Sequence, residues 1–360
     1  MIILCARYAR PRGRPHRGHR RAPGRRTGGR LSDMRIVSLA GGIGGARFLR
    51  GLKAAAPDAE ITAIVNTGDD ITLFGLRICP DLDTVMYTLG GGINEEQGWG
   101  RADESFTVKE ELAAYEVEPQ WFGLGDRDLA THIVRTQMLS AGYPLSQVTE
   151  ALCARWRPGI RLLPMTDDRV ETHVVISDDQ GRRAIHFQEW WVRLRASVPA
   201  ERFVLVGADT AKPAPGVLEA IHDADVVILP PSNPVVSIGT ILQIAGVREA
   251  LEAKTVVGVS PIIGGAPVRG MADACLAAIG VETSAQGVLE LYGSALLDGW
   301  LVAEEDAGVA LDGVVVEARP LLMTSLEAAR DIAAAALDLA RSLREKKEAA
   351  RGAGTGRGSA

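Results

Sequence analysis

The run Ala40-Gly41-Gly42-Ile43-Gly44-Gly45-Ala46-Arg47 constrains the fold most, because it stands between an apolar run at 36–39 and a helix-like run at 48–53. A strand that turns on glycines into a helix opens a parallel α/β sheet. The turn also suits an anion: glycines let the backbone come close, and the N–H groups and dipole of the helix start favour negative charge. A dinucleotide fingerprint requires G-x-G-x-x-G, yet the frame from Gly42 and Gly44 puts Arg47 in the third glycine position. The next strand-like run, 61–65, ends in Asn66-Thr67-Gly68-Asp69-Asp70 instead of the single acid that holds a ribose. The turn reads as a site for a phosphorylated ligand other than NAD.

Strand-like runs followed by helical patterns recur at 36–39, 61–65, 203–206, 226–229 and 255–259. That rhythm predicts an α/β fold with a doubly wound, mainly parallel, Rossmann-like sheet. Between the second and third runs, residues from about 90 to 200 are partly helical by period (110–115, 129–140, 145–155) and partly strand-like (170–176, 183–188). They read as a mixed insertion covering the active-site crevice at the carboxyl ends of the strands, where such sheets bind ligands. Residues 326–343 read as one long helix. The expected organisation is a disordered Arg-rich extension over 1–33, with Met34 as the working start, a single domain over 34–343, and a disordered tail over 344–360.

The net charge of −5 is unevenly spread. Residues 1–33 hold ten arginines against one acid, Asp33, so the remaining body is far more acidic than the total suggests. An acidic body argues against nucleic acid as a general partner. No apolar run reaches the roughly 18 residues that a membrane span requires. Cys5, Cys79, Cys153 and Cys275 are far apart and form no metal or disulfide pattern, which fits a reducing cytoplasm.

Three acidic clusters fall near strand or helix ends. Asp69-Asp70 follows the second strand and reads either as a Mg²⁺ site beside phosphate or as an Asx-type turn. Asp81-Leu82-Asp83-Thr84, led by Pro80, reads either as a helix start or as part of the same crevice. In Gly125-Asp126-Arg127-Asp128, Arg127 could hold a phosphate between its flanking acids or form a surface ion pair, and His132 is either a proton carrier or a packed residue. If all three converge, a cation or donors must balance them. Further along, Ser232-Asn233-Pro234 and Ser237 after one strand, and Ser260 with Gly264-Gly265 after the next, suit a long nucleotide-bearing ligand. Trp190-Trp191 reads as a stacking platform or as alternation between core and surface.

Taken in order, residues 41–45, 66–70, Pro80-Asp81-Leu82-Asp83-Thr84-Val85, 124–132, Leu163-Pro164-Met165-Thr166-Asp167-Asp168, His186-Phe187-Gln188-Glu189, 231–239 and 259–267 resemble the 2-phospho-L-lactate transferase family. Actinobacterial members of that family use phosphoenolpyruvate-derived substrates in making the deazaflavin coenzyme F-420. The resemblance runs from about Met34 to Leu343 and implies a cytoplasmic, homodimeric transferase. The ribityl hydroxyl of the deazaflavin Fo would attack a guanosine diphospho-linked donor carrying lactate or enolpyruvate, and GMP would leave. It implies that Gly42, Gly44, Gly45, Ser232, Asn233 and Ser237 hold the donor, and that Asn66, Thr67, Asp126, Asp128 and His132 complete the substrate site. Asp83 would contact Fo and polarise the hydroxyl, Asp70 and Asp83 would hold Mg²⁺, and Arg127 would join them in catalysis. One departure is Gly123, after Trp121-Phe122, where archaeal members can carry a lysine; it implies aromatic packing at that point. Regulatory proteins that bind nucleotide-sugars through a similar glycine turn are the competing class, and the Asp81–Thr84 and Gly125–Asp128 stretches favour the transferase.

Overall fold

Strands that are apolar on both faces need cover on both sides, and here helices supply it. The computed structural model describes residues 34–355, so the expected extension at 1–33 and the end of the expected tail, 356–360, lie outside the described residues. In chain order the strands are β1 (Arg35–Ala40), β2 (Glu60–Val65), β3 (Ile71–Leu73), β4 (Leu76–Ile78), β5 (Arg161–Pro164), β6 (Glu171–Asp178), β7 (Gly181–His186), β8 (Ala200–Val206), β9 (Val226–Leu229), β10 (Val256–Val259), β11 (Ile262–Ile263), β12 (Ala266–Pro267), β13 (Gly299–Val302) and β14 (Val315–Ala318). Seven of them form one sheet in the order β14-β13-β10-β9-β1-β2-β5. All of its pairings are parallel, with Val37 opposite both Thr62 and Val227.

Alternate residues of each strand feed opposite cores. Ile36, Ala63, Val65, Val226 and Ile228 pack beneath the helices Gly42–Ala55, Pro80–Gly90 and Leu326–Thr355. Val37, Leu39, Ile64, Val227 and Leu229 pack on the other face with Trp300 and the helices Val217–Asp223, Val247–Glu252 and Ala285–Tyr292. The strand order reverses between β1 and β9, which makes their carboxyl ends the topological switch point. Ligands of open α/β sheets bind in the crevice at such a point.

The doubly wound sheet is as expected from the sequence, but its membership differs. Residues 203–206 lie in β8, which pairs antiparallel with β6 in a separate sheet ordered β7-β6-β8. The physical reason lies in its faces: Glu201, Arg202, Val204 and Val206 are exposed, whereas a strand of the central parallel sheet must be covered twice. Its place in the main sheet is taken by β5, from within the stretch read as an insertion, and β13 and β14 extend the other edge. The long C-terminal helix runs from Leu326 to Thr355, well past Leu343 and into the segment expected to be disordered. Residues 344–351 are mostly strong helix formers, and Arg344 pairs with Asp225 (2.8 Å) while Lys347 pairs with Asp298 (2.5 Å). Among the described residues, no helix is long and apolar enough to cross a membrane.

Candidate active site

The glycine turn leaves β1 at the switch point and meets the loop that leaves β9. Ser232 Oγ donates to the carbonyl of Gly41 (2.8 Å) and accepts from its N–H (3.3 Å). A Cβ on Gly44 would stand 2.3 Å from the carbonyl oxygen of Pro231, and one on Gly45 would stand 2.5 Å from Ser232 Oγ. Glycine is therefore required here by the close approach of two loops. Gly42 has φ +64° and faces open space, so its glycine answers a backbone demand instead. Not all the amides of this helix start face a ligand, because the Gly42 N–H donates to Asp81 Oδ1 (2.8 Å).

Asp81 begins the helix Pro80–Gly90 and is fixed from two sides, since its second oxygen accepts from Asn66 Nδ2 (2.9 Å). Asn66 in turn accepts from the Gly68 N–H (2.9 Å) and from Thr240 Oγ1 (2.6 Å), which locks the turn after β2. That turn brings Asp69 to the cleft beside Asp81. Both carboxyls are buried, and neither forms an ion pair among the described residues. Burial drives Asp69 well above the usual carboxylate range, and the charges of Asp81 and Asp70 push it further. Asp81 is pushed up to about 6 by burial, against the pull of its Asn66 and Gly42 donors. Asp69 Oδ1 is buried without a hydrogen-bond partner. Two neighbouring acids short of positive charge are what a divalent cation would relieve.

Asp70 and Asp83, the expected metal pair, sit below the cleft instead. Asp70 accepts from Arg77 Nη2 (3.1 Å) and from Cys79 Sγ (3.0 Å), and its backbone carbonyl lies 3.1 Å from His186 Nε2. Asp83 is in contact with Arg135 Nη2, with His132 Nδ1 at 3.7 Å. Each keeps one buried oxygen without a hydrogen-bond partner, Asp70 Oδ1 and Asp83 Oδ2, but neither side chain lines the cleft. His132 accepts at Nδ1 from Arg135 Nη1 (3.1 Å), an arginine being donor only, and its Nε2 lies 3.4 Å from Asp128. Asp128 also accepts from Tyr87 OH, so Tyr87, Asp128, His132, Arg135 and Asp83 form one buried network. Asp126 accepts from the N–H groups of Thr107 (3.0 Å) and Val108 (2.9 Å), an N-terminal cap that draws it down to about 2. Arg127 points away, exposed, with only its backbone engaged by Glu104 and Arg101. Thr67 is buried outside the cleft.

The cleft has a volume of about 630 Å³. Of the expected residues, Gly42, Gly44, Ser232, Asn233 and Ser237 line it, together with Ser260. Gly45 and Asn66 support it from behind. Asn233 spends its side-chain oxygen on the N–H groups of Val235 (2.9 Å) and Val236 (3.2 Å), which holds the loop after β9 in place. Trp99, Phe122 and Trp191 supply aromatic wall, whereas Trp190 is core, donating to the carbonyl of Val198 (2.7 Å). Arg47 and Arg269, which sequence reasoning passed over, bring positive charge to the same cleft. The only sequence signal for Arg47 was its place where a fingerprint glycine should stand.

Residues 36–336 match the family model described as 2-phospho-L-lactate transferase CofD. A phosphoenolpyruvate transferase of Thermobifida fusca is 73% identical over 87% of this chain and all of its own length. One from Streptomyces coelicolor is 70% identical over the same shares, and one from Mycolicibacterium smegmatis is 61% identical over 85% of this chain and 99% of its own. A crystal structure of a UPF0052-family protein from Bacillus halodurans covers 84% of this chain and 99% of its own with a TM-score of 0.54, at 19% identity, a likeness of fold.

Proposed function

The chain belongs to the 2-phospho-L-lactate transferase CofD family, and from that premise we propose that it moves a phosphoenolpyruvyl or 2-phospholactyl group from a guanosine diphospho-linked donor to the ribityl hydroxyl of Fo, releasing GMP, in coenzyme F-420 biosynthesis. The name carried by its relatives favours the enolpyruvyl donor. The single observation that carries the reading is the pairing, in one cleft at the switch point, of the uncompensated acids Asp69 and Asp81 with the glycine turn.

The hydroxyl oxygen of Fo attacks the phosphorus that bears the three-carbon acid, the bond from that phosphorus to the oxygen of GMP breaks, and the hydroxyl proton is lost. Such a transfer rests on positioning and charge neutralisation more than on covalent help from the protein. Asp69 and Asp81 fit Mg²⁺, since Asp69 Oδ1 is an orphaned buried acceptor at the cleft beside a second buried carboxylate. Mg²⁺ is commonly held by one or two carboxylates together with substrate phosphates and water, and when bound it neutralises diphosphate charge. Asn66 and the Gly42 N–H fix Asp81 in one orientation. Ser237 offers a hydroxyl along the donor, Ser232 and Ser260 hold the flanking loops through Gly41 and Ile262, and Trp99, Phe122 and Trp191 offer flat apolar surface to the rings. The network around Arg135 holds Asp83 from below and acts through the shape of the helix Pro80–Gly90.

The test is a mass-spectrometric assay of the purified chain with Fo, Mg²⁺ and each guanosine diphospho-linked donor. Formation of GMP and the phospho-acid adduct of Fo is expected. Tight binding of a nucleotide-sugar without product from either donor would overturn the reading. The expected homodimer is checked separately by light scattering.

A further inference from the structure

Among the described residues, the buried Arg135 pairs with Asp83 and the largely buried Arg77 with Asp70. Even the half-exposed Arg50 takes the carboxylate of Glu95. At the cleft, the half-buried Arg47 and the exposed Arg269 have no such partner. Arg47 Nη2 donates only to the backbone carbonyl of Glu95 (3.4 Å), and Arg269 Nη1 only to that of Gln97 (3.1 Å). Neither forms an ion pair among the described residues, and both line the cleft.

The two come from distant parts of the chain and meet through one loop. Arg47 lies on the glycine-turn helix and Arg269 follows β12, while the loop that carries Glu95 and Gln97 is pressed onto the glycine turn. A Cβ on Gly98 would stand 2.9 Å from Ile43 Cγ2 and 3.3 Å from Arg269 Nη1. Backbone carbonyls thus hold the two guanidinium groups near each other, while the Glu95 carboxylate beside them is paired with Arg50, so both forks are left able to take an anion. The proton affinity of Arg47 is lowered first by burial and then by Arg269, with Glu95 acting the other way. Two planar guanidinium forks facing one cleft match the geometry of a phosphate or carboxylate.

We propose that Arg47 and Arg269 form a two-guanidinium clamp for an oxyanion group of the donor, its diphosphate or the carboxylate of its three-carbon acid. Only the identity of the molecule that brings the anion rests on the transferase reading. The clamp takes the role that Arg127, turned away from the cleft, does not fill. It sets a preference for donors that are anionic at that end.

Trp99 and Trp191 line the cleft, so binding is read by tryptophan fluorescence on the full chain. Wild type, Arg47→Gln, Arg269→Gln and Arg269→Lys are titrated with inorganic pyrophosphate, GDP, phosphoenolpyruvate and Fo. Each glutamine variant is expected to weaken anion binding by about tenfold or more, with Arg269→Lys recovering part of it, while Fo affinity and melting temperature stay at wild-type values. Loss shared by pyrophosphate and GDP assigns the clamp to the diphosphate; loss confined to phosphoenolpyruvate assigns it to the carboxylate. Equal affinities of wild type and variants for all three anions, or no anion binding by wild type, would overturn the clamp. Arginine-dependent pyrophosphate binding in a protein that neither binds Fo nor turns over would leave the clamp standing and sink the transferase reading.

Discussion

At Asp69 stability and function pull in opposite directions. Its carboxylate is buried, has an oxygen without a partner and sits beside Asp81 with no guanidinium to offset either. Asp69→Asn removes the charge and keeps the shape, so the ligand-free variant is expected to melt a few degrees higher near pH 8, while turnover at saturating Mg²⁺ falls about 100-fold or more. Scanning calorimetry and the product assay check the two halves, and a normal rate would remove Asp69 from the reaction. A pH dependence follows from Asp70 and Asp81, both raised from 3.8 to about 6. Between those limits the folded state binds protons that the unfolded chain has released, so this contribution to stability falls as pH rises through the window and is level above it. Melting curves from pH 4 to 8 should therefore show a shallower dependence in Asp81→Asn than in wild type; parallel profiles would contradict the burial argument. The acids themselves were legible in the sequence, but which member of each cluster meets the cleft was not. Asp70 is one residue from Asp69, and Asp83 two from Asp81, and the choice is made by partners from elsewhere, Arg135 coming from 52 residues beyond Asp83.

Among the elements, the glycine turn separates two reasons for glycine that look alike in sequence. Gly44→Ala would drive a methyl to 2.3 Å from the Pro231 carbonyl, a backbone atom that cannot step aside, and so would part the two loops at the switch point. Gly42→Ala meets nothing within 4 Å and suffers only the left-handed backbone, about 1–2 kcal/mol. Gly44→Ala is therefore expected to lose pyrophosphate binding and melt far lower, with Gly42→Ala folded and binding; titration and thermal melts of the pair decide it, and equal losses would mean that the loops are not in contact. The turn, β1, β2, β9 and β10 were readable because a strand covered on both faces is an uninterrupted apolar run. The same cue misled at β8, where Phe203, Val204, Leu205 and Val206 are apolar in sequence but half of them face solvent in a small antiparallel sheet. β13 and β14 escaped notice because no glycine turn marks the end of either, and Glu317 interrupts the apolar run of β14.

For the molecule as a whole, the long C-terminal helix couples the last part of the described chain to the first. Ala333, Ala336 and Ala340 are fully buried, small enough to let Leu326–Thr355 lie close to the glycine-turn helix. At the crossing Gly51 has no room for a side chain: a Cβ there would be 2.3 Å from the carbonyl oxygen of Ala329 and 2.4 Å from its carbon. Further on, Arg344 and Lys347 reach Asp225 and Asp298, which stand just before β9 and β13 at the amino ends of the sheet, away from the cleft. The helix thus braces the edge opposite the chemistry, while the helix beneath it carries the glycine turn and Arg47 at the other end. Gly51→Ala forces the two backbones apart and is expected to cost about 1–3 kcal/mol, read as a melting temperature lower by several degrees. Pyrophosphate affinity, measured well below that melting temperature, should be unchanged, because the strain falls on the brace and leaves the turn in place. A wild-type melting temperature would mean that the helices are not in contact at Gly51. Weakened anion binding in a variant that is still fully folded would show instead that the brace sets the position of Arg47, making the C-terminal helix part of the site.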